Sequence, residues 1–196
     1  MKKSQQKFYL PFALLGATLF SSTAHATLVG SLEELNPTPT TYTLGTDFNP
    51  ITDNGFASLG DVSGLLQAVD AIGATSGCEA ADFSGFTAGN IALLKRGSCS
   101  FSIKVNNATA AGAIGALIFN NVAGLNSIVL TAASNIPVLY LTNALGTSYL
   151  TRLGSEAISM RMEVSNFTAP VPEPEALALI TAELGLFGYS RRRKAA

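Results

Sequence analysis

The sequence predicts a single α/β domain held between two terminal sorting segments, and three observations lead to that reading. Residues 91–119 run as buried strand, helix and buried strand, the succession of a parallel crossover. Residues 158–164 alternate strictly, with Ile158, Met160, Met162 and Val164 on one face and Ser159, Arg161 and Glu163 on the other, as a half-wet strand does. The third is composition: 47% hydrophobic residues and a formal net charge of -1 over 196 residues suffice for one core and are too little for a multidomain protein.

At the N-terminus, Lys2, Lys3 and Lys7 lead into a 13-residue apolar stretch at 8–20, and Ala24-His25-Ala26 follows as a small-residue cleavage site. Thirteen residues fall short of the roughly 20 that cross a bilayer, so residues 1–26 are assigned to a secretory leader. His25 is the single histidine of the sequence. A mature chain starting at Thr27 therefore lacks imidazole, which excludes Ser-His-Asp and Cys-His hydrolases and HExxH zinc peptidases. Export also governs Cys78 and Cys99: an oxidising compartment lets the pair persist as a disulfide worth about 3 kcal/mol. A reactive thiol is the alternative. Two soft ligands without histidine leave a zinc shell incomplete, so no metal or other cofactor is expected.

Residues 27–76 are rich in Thr, Gly, Pro and Asp, with turn signals at Asn36-Pro37, Asn49-Pro50 and Asp53-Asn54-Gly55, and read as loop-rich β structure. The run 65–69 fits a strand or a single helical turn, and we lean to strand. From Ile91 to Leu94 a short apolar run before Lys95-Arg96-Gly97 predicts a buried strand ending in a polar turn. Ser100 is placed as N-cap of a helix whose inner face carries Phe101, Val105, Ala108 and Ala111, and Gly112 closes it in the left-handed conformation. Residues 114–119 are apolar on both faces, a strand covered from two sides. A loop at 120–126 leads to Ile128-Val129-Leu130, and 136–141 forms another strand with Pro137 near its start or at an edge. Thr142 caps a second helix that presents Leu145, Tyr149 and Leu153 together before Gly154.

The central runs are Gly77-Cys78 with Asp82-Phe83 behind them, GNIALLKRGSCSFSIKVNNATAAGAIGALIFNN at 89–121, and IPVLYLTNALGTSYL at 136–150. Together they resemble the protease-associated (PA) domain: strand, Arg-Gly-x-Cys-x-Phe turn, Lys-Val helix, and Ala-Gly step into a second buried strand. The resemblance implies a PA-type swivelling β/β/α domain, a small mixed sheet or open barrel with two short helices and one disulfide. Its core is set at 77–165, behind the loop-rich part at 27–76. Gly97 permits the tight turn, which Cys99 anchors to Cys78. Lys95, Arg96 and Lys104 read as solvated turn and helix charges. The resemblance further implies a module that is not itself an enzyme and that contacts proteins or peptides or covers a peptidase active site; because 196 residues leave no room for the separate catalytic domain that most peptidases with this module carry, any peptidase connection is expected in trans.

Residues 166–175 form a linker with Val171-Pro172-Glu173-Pro174, and 176–196 carry an apolar piece at 176–189 followed by Arg191-Arg192-Arg193-Lys194. This stop-transfer polarity resembles the PEP-CTERM sorting signal of Gram-negative bacteria. The resemblance implies an exosortase-like processing enzyme as partner, transient inner-membrane association through a transmembrane helix, and delivery to the cell surface or exopolysaccharide matrix. Two features depart from it: the apolar piece has only 14 residues, and Glu183 lies inside it. An amphipathic helix docking on the domain is the alternative, since Leu177, Ile180, Leu184 and Phe187 share a face.

Between residues 27 and 170 ten acidic side chains stand against five basic ones, a net charge of -5, so nucleic acid is not an expected partner. The leading expectation is an exported, non-catalytic module for an unknown protein or peptide ligand. Its candidate binding loops are 120–126, with Asn120, Asn121 and Asn126, and 131–135, with Asn135, because loops on a rigid scaffold commonly carry recognition. The alternatives are a structural extracellular-matrix (biofilm) protein and an accessory of an extracellular peptidase. An enzyme built on Asp47, Asp53, Asp61 or Glu79 is the weakest reading, because acids in such loops are usually turn formers. They show no EF-hand pattern either.

Overall fold

The computed structural model describes residues 26–52, 54–70 and 76–168. Residues 1–25 of the leader assigned to 1–26, Pro172-Glu173-Pro174, the apolar stretch at 176–189 and Arg191, Arg192 and Arg193 lie outside them. In chain order the elements are β1 (Ala26–Asn36), β2 (Thr40–Thr41), β3 (Phe48–Pro50), β4 (Gly60–Ala68), a 3-10 turn (Ala80–Phe83), β5 (Ile91–Lys95), α1 (Phe101–Ala110), β6 (Gly115–Phe119), β7 (Val138–Leu141), α2 (Asn143–Leu153) and β8 (Ser159–Thr168).

The strands form one mixed sheet in the order β2-β1-β8-β4-β5-β6-β7-β3. β4 is shared between two pairings: Gly60 to Leu65 run antiparallel to β8, while Leu66, Gln67 and Ala68 run parallel to β5. The expectation of a strand at 65–69 is met by a longer one that starts at Gly60. β5, β6 and β7 are mutually parallel, and β3 closes that side antiparallel to β7. The sheet curls. A Cβ on Gly30 of β1 would lie 2.9 Å from Leu139 Cδ2 of β7 and 3.4 Å from Phe48 Cε2 of β3, although these strands stand far apart in the pairing order.

Alternation builds the inner surface. β8 turns Met160, Met162 and Val164 inward, and Leu28 and Leu32 of β1 meet them across the long antiparallel pairing. β5 and β6 are buried on both faces because helices cover what the barrel interior does not. Both helices start where local chemistry predicts: Ser100 Oγ accepts from Ile103 N–H and Thr142 Oγ1 from Leu145 N–H. Gly112 follows α1 at φ +84°, a conformation costly for any residue with a Cβ. Among the described residues no helix is long and apolar enough to cross a membrane.

α2 reaches the sheet through Gly146, where a Cβ would fall on the ring of Phe119 in β6. Gly146→Ala should therefore destabilise the domain by about 1–3 kcal/mol through overpacking, read as a lowered midpoint in urea with unchanged slope. Stability equal to the parent would show that α2 can lift from β6 at little cost.

Candidate functional site at the carboxyl end of the parallel strands

Open parallel sheets present ligand crevices beyond the carboxyl ends of their strands. Here β5, β6 and β7 end together. Arg96 N–H donates to the Phe119 carbonyl and Asn120 N–H to the Leu141 carbonyl, stitching the three exits into one surface. The first turn of α1 follows β5 and that of α2 follows β7, each contributing partial positive charge there.

Asn120 is the centre of this surface and is fully buried. Its Oδ1 accepts from Arg96 Nη1 at 3.1 Å and from Val122 N–H at 3.4 Å, and its Nδ2 donates to the Gly124 carbonyl at 3.0 Å. Its own carbonyl accepts from Asn143 Nδ2 at 2.8 Å. One asparagine thus shapes the 120–126 loop, orients the arginine and ties in α2. Of the predicted loop residues, Asn121, Asn126 and Asn135 are exposed, whereas Asn120 faces inward and serves the loop's structure. The second loop is held near α1 by buried Ser102, whose Oγ accepts from Thr131 N–H at 2.8 Å and Ala132 N–H at 3.1 Å.

Arg96 is half-buried, not a solvated turn charge. Its Nη1 also reaches the Tyr140 hydroxyl at 3.5 Å, and the Tyr140 ring packs edge-on against Phe101. Burial raises the Tyr140 phenol above its ordinary range, with the Arg96 bond and charge opposing that rise, so it stays neutral at physiological pH. Gly97 (φ +128°) and Ser98 (φ +66°) form the turn that carries Arg96, and Cys99 is bonded to Cys78 with Cα atoms 5.8 Å apart. The predicted disulfide is present and holds the arginine's turn.

The expectation of a solvated Lys104 is overturned more sharply. Lys104 has no exposed surface; its Nζ donates to the Ser76 carbonyl and stands 3.5 Å from Cys78 Sγ. The helix stripe explains this: with Phe101, Val105 and Ala108 facing inward, position 104 lies on the same face at i, i+3 spacing. Burial lowers its pKa, and the charges of Asp82 and Asp70 oppose the shift. Lys95 is exposed as expected.

Among the described residues the candidate acids do not share a site. Asp47 Oδ2 accepts from Thr43 N–H, Asp61 is bound by Arg161, Glu79 caps the 3-10 turn, and Asp53 lies outside the described residues. Sequence reasoning passed over Arg96 as a site residue. The signal for it was its place directly after a buried strand of the crossover.

Residues 62–149 match the family of the PA domain, and that segment is a PA domain. A relative from Pseudomonas aeruginosa (strain UCBPP-PA14), named "Aminopeptidase", is 39% identical over 132 residues, covering 61% of this chain and 24% of the relative. "Leucine aminopeptidase 2" of Arthroderma otae is 36% identical over 90 residues, covering 45% of this chain and 18% of the relative. The chain thus spans less than a quarter of the length of these relatives. Among solved structures, the aminopeptidase from Aneurinibacillus sp. strain AM-1 superposes with a TM-score of 0.54 at 22% identity, over 75% of this chain and 36% of that one. BSAP, a zinc aminopeptidase from Bacillus subtilis, superposes with a TM-score of 0.54 at 20% identity, over 73% and 31%. These two likenesses establish the fold.

The expectation that the chain is not an enzyme is corrected by these relatives, whose names are those of aminopeptidases and point to a peptidase. The described residues do not fit a zinc site. Among them no group of three or more His, Cys, Asp or Glu could hold a metal, and both cysteines are spent in the disulfide.

Proposed function

We propose that this chain works as part of an exported aminopeptidase, with the described domain presenting or admitting the peptide. The observation that carries the reading is the 39% identity over 132 residues to an aminopeptidase, which extends beyond the 62–149 segment common to PA domains. The exposed loop residues Asn121, Asn126 and Asn135 are the candidate peptide-contacting groups, and Asn121 lies beside Gly97 of the disulfide-held turn. Export rests on the leader pattern at 1–26, and surface sorting by an exosortase-like enzyme, with transient inner-membrane association, rests on Pro172-Glu173-Pro174 and Arg191-Arg192-Arg193.

The test compares hydrolysis of leucine p-nitroanilide in the extracellular and surface fractions of the native host with and without the gene. Deletion should lower the activity, and the intact gene supplied in trans should restore it. Unchanged activity in both fractions would overturn the peptidase assignment.

A further inference from the structure

Three arginines lie within the described domain, and they are treated differently. Arg152 binds Glu34 through two nitrogens and Glu156 through a third. Arg161 binds Asp61 through two nitrogens at 2.8 and 2.9 Å, with Glu33 at 3.7 Å and Glu163 at 3.9 Å. Arg96 alone is positioned by neutral groups, the Asn120 amide oxygen and the Tyr140 hydroxyl, and among the described residues no carboxylate forms an ion pair with it. Both of its bonds leave from Nη1.

A guanidinium offers five donors in a planar fork, and a half-buried one braced on one nitrogen is oriented without being neutralised. In a body of net charge -5 the remaining acids attract this cation only diffusely, and a carboxylate partner is what its geometry lacks. Asn121 adds an exposed amide over the same turn: a Cβ on Gly97 would stand 3.7 Å from Asn121 Nδ2. The surrounding turn is fixed by the Cys78–Cys99 bond and by buried Asn120, so binding requires little ordering of the site.

We propose that Arg96 and Asn121 form a carboxylate-binding subsite, with Asn120 and Tyr140 as positioning residues, and that it engages a carboxylate of the peptide. The inference rests on the peptide-contacting reading above for its ligand. The carboxylate has two sources, the free C-terminus or an acidic side chain, and the shared chemistry is a planar pair of oxygens facing the guanidinium fork.

The experiment titrates the full chain, disulfide intact, with three probes: N-acetyl-Ala-Ala-Leu as the free acid, the same peptide as its C-terminal amide, and N-acetyl-Ala-Glu-Ala amide. Resonances of the Arg96 Nε–H and of the Asn120 and Asn121 side-chain amides are followed. The free acid should shift these signals, the capped leucine peptide should not, and Arg96→Gln should weaken binding about tenfold or more. Response to the glutamate peptide alone assigns the subsite to acidic side chains and keeps the proposal; Asn121→Ala should then weaken that same response. Equal response to acid and amide, no response to any probe at about 10 mM, or undiminished affinity in Arg96→Gln overturns it. Arg96→Lys, which keeps the charge and loses the fork, guards against a folding defect in the glutamine variant and should bind more weakly than the parent. Failure here with deletion still lowering leucine p-nitroanilide hydrolysis removes the subsite and leaves the peptidase assignment standing.

Discussion

Arg152→Ala should destabilise the domain by about 3 kcal/mol, because it strands a buried carboxylate. Glu34 lies on the inward face of β1, in alternation with Leu28 and Leu32, and is 2% exposed. Arg152, from the last turn of α2, reaches across to it with both terminal nitrogens, Nη1 at 2.7 Å from Oε2, while Tyr42 donates its hydroxyl to Oε2 at 3.1 Å. The partly exposed arginine can return to water, but the carboxylate cannot. Glu34→Leu combined with Arg152→Leu should therefore cost less than Arg152→Ala alone, since replacing both ions removes the stranded charge. Urea midpoints of the three variants decide this, and a double variant less stable than the single would refute the account.

The same pair sets an acid limit. The hydrogen bond from Arg152 holds the Glu34 carboxyl below its ordinary value of 4.5, against the opposing effect of burial. A carboxylate with a lowered folded pKa contributes stability that is fully present above the unfolded value and is lost as pH falls from there through the folded one. The parent should lose stability below about pH 4.5, and a Glu34→Gln variant should show a flatter profile over that window.

Removing the disulfide is the second large effect. Replacing Cys78 and Cys99 together by serine should cost about 3 kcal/mol, the loop-closure value for a separation of 21 residues. The consequence extends to the site, because Cys99 anchors the turn that carries Arg96. Proton exchange at Ser98, Cys99 and Ser100 amides should accelerate more than exchange in β8, which pairs with β1 and β4 away from that turn. Uniform acceleration would show that the bond stabilises the whole domain without specifically holding the turn.

Sequence-local features were legible because they depend on a few consecutive residues. Ser100 and Thr142 announce helix starts by the spacing of a hydroxyl to the third backbone N–H, Gly112 announces a stop, and the alternation from Ile158 to Val164 announces which face of β8 is buried. The parallel crossover from β5 through α1 to β6 is read from two strand-length apolar runs flanking a capped helical stripe. The PA-domain resemblance was carried by the same local order of turn, helix and strand.

What lay beyond the sequence is of another kind. β1 is eleven residues long, yet Leu28, Gly30, Leu32 and Glu34 do not form an apolar alternation, since Gly30 is bare to admit Leu139 and Glu34 is charged to meet Arg152. Lys104 and Asn120 carry residue types that ordinarily sit in water, and both are buried because partners distant in the chain satisfy them: the Ser76 carbonyl for one, Arg96 and Asn143 for the other. Local propensity and hydrophobic period determine where strands and helices form and which apolar face turns inward. Whether a polar residue on that face is tolerated depends on a hydrogen-bonding group brought to it from elsewhere by the curl of the sheet, and that only the tertiary structure decides.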